Sequence, residues 1–208
     1  MKIVAISDTH MEESRVIIPK CDLLIHTGDC DIRTLDHLKQ LNSWFYNQPA
    51  KYKIFVAGNH DFYLERLNYH MVCDILHNCY YLFNNSIEIE GLKIWGSPYS
   101  PKFNNWAFML DEEGLSKIYS KIPEETDIVL SHAPPYGILD ETDFCQTHAG
   151  SVSLLKKIKE IQPKLHIFGH IHEGYGKYTD YKTDYINASQ MTSTYKLENK
   201  PIELTIDV

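Results

Sequence analysis

Five short segments of the chain carry side chains that bind metal ions in many proteins. Each segment contains at least one carboxylate, imidazole or amide group, and five of the eleven histidines fall within them. The segments are Asp8-Thr9-His10, Gly28-Asp29, Gly58-Asn59-His60-Asp61, Ser131-His132 and Gly169-His170-Ile171-His172. Divalent ions such as Mn, Fe or Zn accept a mixed set of histidine nitrogens and carboxylate or amide oxygens, whereas Ca and Mg favour oxygen alone. The composition of these segments therefore predicts a site for Mn, Fe or Zn.

The spacing within the segments suits a shared ion. Asp8 and His10 are two residues apart, and His170 and His172 repeat this arrangement. At the end of a strand, side chains two residues apart can point the same way. Asp29 has two carboxylate oxygens and could bridge two ions. A glycine, which lets the backbone approach a ligand closely, comes before the ligand at positions 28, 58 and 169.

Each segment follows a short run of apolar, largely β-branched residues, a pattern typical of buried strands. The predicted strands cover residues 2–7, 22–26, 52–57, 127–130 and 165–168. In open α/β sheets, ligands bind beyond the carboxyl ends of the strands. We therefore expect all five segments to converge on one site.

Helical patterns lie between these strands. Apolar residues recur at helical spacing over 35–45, with Thr34 as a candidate N-cap, and again over 151–161, before Pro163. This alternation predicts βαβ units and a partly parallel sheet. Residues 87–95 alternate with period two around Glu90-Gly91, which predicts a hairpin, and further strands are expected over 178–206. The expected architecture is one α/β domain over residues 1–208, with mixed sheets and helices outside.

Composition narrows the function classes. The net charge of −8 argues against binding to long nucleic acid, because such binding requires surface Lys and Arg to neutralise phosphates. Residues 1–8 become polar too soon for a signal peptide, and no apolar run approaches the roughly 18 residues of a membrane helix. Five cysteines without a C-x-x-C pair are typical of a reduced compartment. We expect a soluble cytoplasmic protein with no membrane partner, and assign no oligomeric state.

The ordered metal-ligand segments resemble the signature of the calcineurin-like metallophosphoesterases. The resemblance extends from the first predicted strand to near the end of the chain. A narrower resemblance, to the brain metallophosphoesterase-domain phosphodiesterases and their bacterial cyclic-nucleotide phosphodiesterase relatives, appears in residues 131–135, 163–166, 168–176 and 185–189.

This resemblance implies a four-layer α/β/β/α sandwich of two mixed sheets, with two divalent metal ions at the strand carboxyl ends. The implied ligands of the first ion are Asp8, His10, Asp29 and His172. The implied ligands of the second ion are Asp29, Asn59, His132 and His170. His60 would face the phosphate as a catalytic residue, and Asp61, where many relatives carry Glu, would orient His60.

The predicted reaction is hydrolysis of a phosphodiester in a small nucleotide-like substrate, with cyclic nucleotides as the first candidate. Two divalent ions would outweigh the charges of Asp8 and Asp29 and form a cationic pocket for the phosphate. A water bound to them would have its pKa lowered from ~15.7 towards about 7, and the resulting metal-bound hydroxide would attack phosphorus. The alternatives are a phosphomonoesterase, acting on nucleotides or proteins, and a non-catalytic scaffold of the same fold.

Other polar and aromatic residues receive weaker assignments. His26 is equally expected to support the site or to have a purely structural role. His166 is expected in the core. Asp31 could support the site from outside the ligand set, but a solvated turn is favoured. Candidates to line a substrate pocket are Tyr136, Tyr175 and Asn187. Trp106 could flank the pocket but is not assigned to the site.

Overall fold

The computed structural model describes residues 1–143 and 146–207. The strands are β1 (Lys2–Ile6), β2 (Cys21–His26), β3 (Ala50–Phe55), β4 (Tyr80–Tyr81), β5 (Asn85–Ile89), β6 (Leu92–Ser97), β7 (Ser100–Pro101), β8 (Met109–Leu110), β9 (Ile128–Ser131), β10 (Glu141–Thr142), β11 (Thr147–His148), β12 (Leu165–Phe168), β13 (Gly176–Thr179), β14 (Asp184–Asn187) and β15 (Ile202–Thr205). The α-helices are α1 (Leu35–Tyr46), α2 (Phe62–Glu65), α3 (Tyr69–Ile75), α4 (Glu112–Tyr119) and α5 (Val152–Ile161). The four described cysteines are free thiols, and Cys145 lies outside the described residues.

Two large mixed sheets form the centre of the molecule. The first has the strand order β15-β1-β2-β3-β4, in which β1 to β4 are parallel and β15 is antiparallel to β1. The second has the order β13-β14-β12-β9-β6-β5, with parallel pairs from β14 to β6 and an antiparallel pair at each edge. The predicted α/β class with two mixed sheets is confirmed.

Three apolar cores separate the layers of the fold. In β1, Val4 and Ile6 pack with α1 and α3, while the alternate residues Ile3 and Ala5 pack against the second sheet. In the second sheet, Val129 lies on the opposite face, with α4 and α5. Successive strand residues point to opposite faces, so both faces of each sheet are buried. The order of layers is helix, sheet, sheet, helix, as the resemblance implied.

The predicted element ends agree with the capping contacts. The Thr34 hydroxyl accepts a hydrogen bond from the N–H of His37 (3.2 Å) and begins α1. The Ser151 hydroxyl accepts one from the N–H of Leu154 (3.2 Å) and begins α5. The predicted hairpin joins β5 to β6. Its turn places Glu90 and Gly91 at φ 49° and 82°, both left-handed, as a two-residue hairpin turn requires.

Three helices were not predicted from the sequence. Helices α2, α3 and α4 have 4, 7 and 8 residues, too few for a helical period to stand out. Strand β3 also begins and ends two residues earlier than predicted, because its pairing with β2 runs from Ala50, opposite Cys21, to Phe55, opposite His26. Within the described ranges, no helix is long and apolar enough to cross a lipid bilayer.

Candidate metal centre

The predicted metal ligands lie where strands of both sheets end. Asp8 and Asp29 follow β1 and β2 of the first sheet, and His132 and His170 follow β9 and β12 of the second. Hydrogen bonds connect the two sets of loops. Nδ1 of His132 lies 2.8 Å from the carbonyl oxygen of Thr27, and the N–H of His170 donates to Oδ2 of Asp8 at 3.0 Å. The packing of the two sheets therefore brings distant parts of the chain to one place.

The first group of candidate ligands contains Asp8, His10 and His172. One ligand atom from each residue lies within 4.8 Å of the others. Oδ1 of Asp8 is 3.6 Å from Nε2 of His172. Nε2 of His10 is also 4.0 Å from Oδ2 of Asp29. These four residues are the set that the resemblance implied for the first ion.

The second group contains Asp29, Asn59, His132 and His170. Nε2 of His132 lies 2.8 Å from Oδ1 of Asn59 and 3.3 Å from Oδ1 of Asp29. Ligand atoms of Asp29, His132 and His170 lie within 4.8 Å of one another. Asp29 thus directs one oxygen towards His10 in the first group and the other towards His132, which is the geometry that a bridging carboxylate requires.

Three of these imidazoles use Nδ1 for a hydrogen bond that leads away from the ligand groups. The acceptors are the carboxylate of Asp31 for His10 (3.1 Å), the carbonyl of Thr27 for His132 (2.8 Å) and the carbonyl of Thr192 for His172 (3.1 Å). A neutral imidazole with its proton on Nδ1 keeps a lone pair on Nε2. Metal-binding histidines make this kind of outer contact, which fixes the ring and its tautomer. The Nε2 atoms are therefore oriented to bind a cation.

The site also contains two buried carboxylates. Asp8 is 0% exposed and Asp29 is 2% exposed, and Nε2 of His10 is buried without a hydrogen-bond partner in the described part of the chain. Burial opposes protonation of His132, but the charge of Asp29 and a hydrogen bond to it raise the pKa of His132 to about 9. The space between these side chains thus favours positive charge. A divalent cation would replace the proton there and bind the unpartnered nitrogen, so these residues fit a metal site.

Two glycines bring the backbone against the ligand side chains. A Cβ atom at Gly58 would lie 2.6 Å from Cε1 of His132 and would collide with the carboxylate of Asp29. A Cβ atom at Gly169 would collide with the carboxylate of Asp8. The close backbone approach predicted for these glycines is confirmed.

Several candidate ligands have strained backbone conformations. Left-handed φ angles occur at Asp8 (52°), His10 (44°), Asp29 (58°) and His170 (70°). Each such residue costs on the order of 1–3 kcal/mol and persists only where the surrounding structure holds it. Strain of this kind concentrates at functional sites. Its presence at four of the seven candidate ligands agrees with a functional site.

His60, the predicted catalytic residue, lies beside the two ligand groups. Its N–H donates to Oδ1 of Asp29 at 2.8 Å. Its Nδ1 lies 3.3 Å from Oδ1 of Asp31, whose other oxygen accepts the hydrogen bond from His10. Burial opposes protonation of His60, but this contact and the nearby carboxylates raise its pKa. Of the two alternatives for Asp31, the structure supports the role behind the ligands over the favoured solvated turn, because its carboxylate contacts both imidazoles.

The structure also corrects the prediction that Asp61 orients His60. The Asp61 side chain is fully buried and both of its oxygens accept backbone N–H groups. The donors are Gly58 (2.8 Å), Asp29 (3.1 Å), Cys30 (3.1 Å) and Ile32 (3.0 Å). Asp61 therefore fixes the loop after β2 against the loop after β3. It places Asp29 and Asn59 relative to each other, while Asp31 orients His60.

Two other buried histidines have structural contacts. Nε2 of His26 lies 3.1 Å from the hydroxyl of Thr9, and its Nδ1 accepts from the N–H of Gly28 (3.2 Å), so His26 supports the loops that carry the ligands. His166 lies in the core, as predicted, with Nε2 2.8 Å from the hydroxyl of Ser131.

The three residues proposed to line a substrate pocket make contacts with neighbouring parts of the fold. Asn187 is buried and donates to the carbonyl of Ile171 (2.8 Å), so it supports the loop that carries His172. The Tyr175 hydroxyl donates to the Lys200 carbonyl (2.8 Å). Tyr136 packs its ring 5.2 Å from that of His148.

Two aromatic residues that the sequence analysis did not assign to the site lie against it. The Trp106 ring is 5.0 Å from that of His60, and the Tyr195 ring is 4.9 Å from that of His172. Neither residue belongs to a metal-ligand segment. Both come from loops whose path depends on the folded sheets, so the sequence contains no local signal for them.

Comparison with known proteins agrees with this geometry. The calcineurin-like phosphoesterase family model matches residues 1–174. The chain is 37% identical to metallophosphoesterase domain-containing protein 1 of Homo sapiens, over 99% of this chain and 71% of that protein. It is 33% identical to a UPF0046 protein of Caenorhabditis elegans, over 97% of this chain and 74% of that protein. The fold is similar to that of the phosphopantetheinyl hydrolase from Mycobacterium tuberculosis, with a TM-score of 0.58, 14% identity and coverage of 90% and 88% of the two chains.

Family and geometry therefore indicate the same chemistry. The family model indicates metal-dependent hydrolysis of phosphate esters, for which its members typically use two metal ions. The groups of buried Asp and His residues provide candidate ligands for such a centre. This chain belongs to the calcineurin-like phosphoesterase family.

Proposed function

We propose that this chain, as one catalytic domain over residues 1–208, is a two-metal phosphodiesterase that acts on small nucleotide-like phosphodiesters. The main support is the position of the Asp29 carboxylate between two imidazole nitrogens. Oδ2 lies 4.0 Å from Nε2 of His10, and Oδ1 lies 3.3 Å from Nε2 of His132. Both imidazoles have an outer acceptor at Nδ1, so both Nε2 atoms are oriented to share this carboxylate with bound ions.

Two sets of ligands would hold the ions. One set is Asp8, His10, Asp29 and His172, and the other is Asp29, Asn59, His132 and His170. Mixed nitrogen and oxygen ligands suit Mn, Fe or Zn. When bound, such ions neutralise a phosphate and lower the pKa of water from ~15.7 to about 7, which makes a nucleophile at neutral pH.

His60 would act on the ester oxygen that leaves. Asp31 holds Nδ1 of His60, so Nε2 is the nitrogen that can meet a substrate. With a proton on Nε2, the imidazole can donate to the leaving oxygen or stabilise charge on the phosphoryl group. The backbone N–H of His60 donates to the carboxylate of Asp29, and this contact fixes the distance between the proposed proton donor and the proposed bridge. A binding scaffold would not require this arrangement.

The cations near the site support a diester substrate over a monoester. A monoester carries one more negative charge at neutral pH. Among the ion pairs that the structure describes beside the candidate ligands, the one guanidinium is that of Arg33. It lies 3.0 Å from Oδ1 of Asp31 and 5.2 Å from the centre of the Phe62 ring. Its charge therefore already balances that of Asp31.

Paired substrates test this proposal. Manganese-loaded protein is assayed with bis(p-nitrophenyl) phosphate and with p-nitrophenyl phosphate, which release the same product. We expect the higher kcat/KM for the diester. A preference for the monoester of tenfold or more, about 1.4 kcal/mol of transition-state stabilisation, would replace the phosphodiesterase with the phosphomonoesterase alternative.

A further inference from the structure

An aromatic surface lies beside His60. The Trp106 ring is 5.0 Å from the His60 ring and tilted by 48°. The Phe103 ring is 6.1 Å from that of Trp106, and Phe103 is 77% exposed. Large exposed apolar side chains next to a polar site are typical of ligand-binding surfaces. We call Trp106 and Phe103 the aromatic wall.

The aromatic wall is fixed to the backbone of the metal centre. The N–H of Ala107 donates to the carbonyl of Asn59 at 3.0 Å, directly after Trp106. On the other side of Phe103, the N–H of Lys102 donates to the carbonyl of Leu110 at 2.9 Å. Because Asn59 is also a candidate metal ligand, the position of Trp106 is tied to that of the ions.

The order of rings across the site separates the aromatic wall from Tyr195. His60 and His10 have ring centres 5.0 Å apart, and the Tyr195 ring lies 5.1 Å from that of His10. Trp106 lies against His60, whereas Tyr195 lies against the ligand imidazoles. With His60 as the proposed proton donor, the leaving oxygen would approach its ring, and the group attached to that oxygen would extend towards Trp106.

We infer that the aromatic wall binds a planar aromatic group on the leaving oxygen of the substrate, as in an aryl or nucleoside ester. This inference rests on the proposed function, because it takes His60 as the residue beside the leaving oxygen. The wall presents ring faces and edges, on which any planar aromatic group can stack. It selects aromatic over aliphatic esters, with little discrimination among aromatic groups.

Binding of two phosphonates tests the inference without turnover. Phenylphosphonate and methylphosphonate carry the same anionic group and are not hydrolysed. Their Kd values are measured by calorimetry on manganese-loaded protein. Since stacking of a base on an aromatic side chain contributes about 1–3 kcal/mol, we expect phenylphosphonate to bind roughly tenfold more tightly to the unchanged protein.

Variants locate the source of this preference. Trp106→Leu keeps apolar bulk but removes the ring, and should reduce the preference to about twofold or less, whereas Trp106→Phe should retain most of it. Tyr46→Leu is the matched control, because Tyr46 is an aromatic residue 71% exposed at the end of α1. It should bind both phosphonates as the unchanged protein does.

The outcomes separate this inference from the proposed function. Equal affinity for the two phosphonates, or a preference that survives Trp106→Leu, would overturn the aromatic wall. Absence of any phosphonate binding to metal-loaded protein would instead contradict the proposed phosphate site. Loss of affinity for both phosphonates in Trp106→Leu, with the ratio unchanged, would show that Trp106 supports His60 and does not bind the ester group.

Discussion

Nδ1 of His60 lies 3.3 Å from Oδ1 of Asp31, and the second oxygen of this carboxylate lies 3.1 Å from Nδ1 of His10. One carboxylate therefore fixes both the proposed proton donor and a proposed metal ligand. Asp31 itself has a left-handed backbone, φ 56°, which the surrounding loop holds in place. The position of the proposed proton donor relative to the proposed ions is thus set by a residue outside both proposed ligand sets.

Replacement of Asp31 should impair both functions of this carboxylate. Asp31→Asn keeps the size but removes the charge and one acceptor, so it should lower kcat/KM by about 10–100-fold, as outer-shell changes at metal sites do. Kinetics and elemental analysis measure the two effects. Asp36→Asn, at an exposed position of α1, is the control. Unchanged kinetics in Asp31→Asn would show that His60 and His10 do not need this contact.

Replacement of His60 should separate chemistry from metal binding. Acid–base groups contribute about 10²–10⁴-fold, so His60→Ala should lower kcat by a factor in this range. Its metal content should stay at about two ions per chain, because the proposed centre does not use its imidazole. The loss should shrink for esters with a good leaving group if His60 donates a proton, and stay constant if it stabilises the phosphoryl group. Loss of an ion, or unchanged kcat with both kinds of ester, would contradict this assignment.

Replacement of Asp61 should affect stability more than proton transfer. Its carboxylate accepts four backbone N–H groups, and Asp61→Asn would turn one acceptor into a donor that faces these groups. Buried donors that lose a charged acceptor typically cost about 1.5–3 kcal/mol. We expect a loss of this size in the free energy of unfolding, measured with urea in the presence of a chelator. If Asp61→Asn has the same free energy of unfolding as the unchanged protein, Asp61 does not fix the two loops as proposed.

The buried His166 should make stability depend on pH. Burial lowers the pKa of His166 to about 3, from an ordinary value of 6.5, and its Nδ1 is buried without a described partner. Below pH 6.5 the unfolded chain binds a proton at this residue that the folded chain does not. Its contribution to stability is therefore complete above pH 6.5 and is lost as the pH falls towards 3, by up to about 1.4 kcal/mol per pH unit.

The variant His166→Phe isolates this effect. Urea unfolding of both proteins, in chelator, from pH 7 to pH 4.5 gives the difference in stability at each pH. We expect the unchanged protein to lose more stability than His166→Phe as the pH falls, because phenylalanine does not titrate. Ser131 keeps a partner in the variant, since its hydroxyl donates to the Ala133 carbonyl at 2.6 Å. Parallel curves for the two proteins would contradict the assignment of His166 as a neutral core residue.

The arrangement of the candidate ligands could be predicted because each one follows a strand. Runs of apolar residues predicted where β1 and β12 end. Asp8 and His170 follow these carboxyl ends, so both lie at the same edge of the fold. The glycines carry an equally local signal, since no side chain fits at Gly58 or Gly169. Local patterns and the geometry of parallel strands were sufficient for this part of the site.

The outer contacts could not be predicted with the same reliability. Asp31 lies two residues after Asp29, the same spacing as Asp8 and His10, but this spacing alone does not distinguish a supporting carboxylate from a solvated turn. The role of Asp61 depends on N–H groups of a loop 29 to 32 residues away, which no local pattern reveals. Tyr195 reaches the site because its turn packs on His172, a contact that only the folded chain creates.

The central claim, a two-metal centre bridged by Asp29, is tested most directly by the metal content of purified protein. Elemental analysis of protein reconstituted with manganese and freed of excess ion should give about two ions per chain, and chelation should abolish phosphoesterase activity until manganese is restored. Asp29→Ala should lose more bound metal than any other single ligand change, because the proposed bridge serves both ions, while Asp36→Asn should keep both. Protein that retains no divalent ion after reconstitution, with activity unaffected by chelator, would contradict the account.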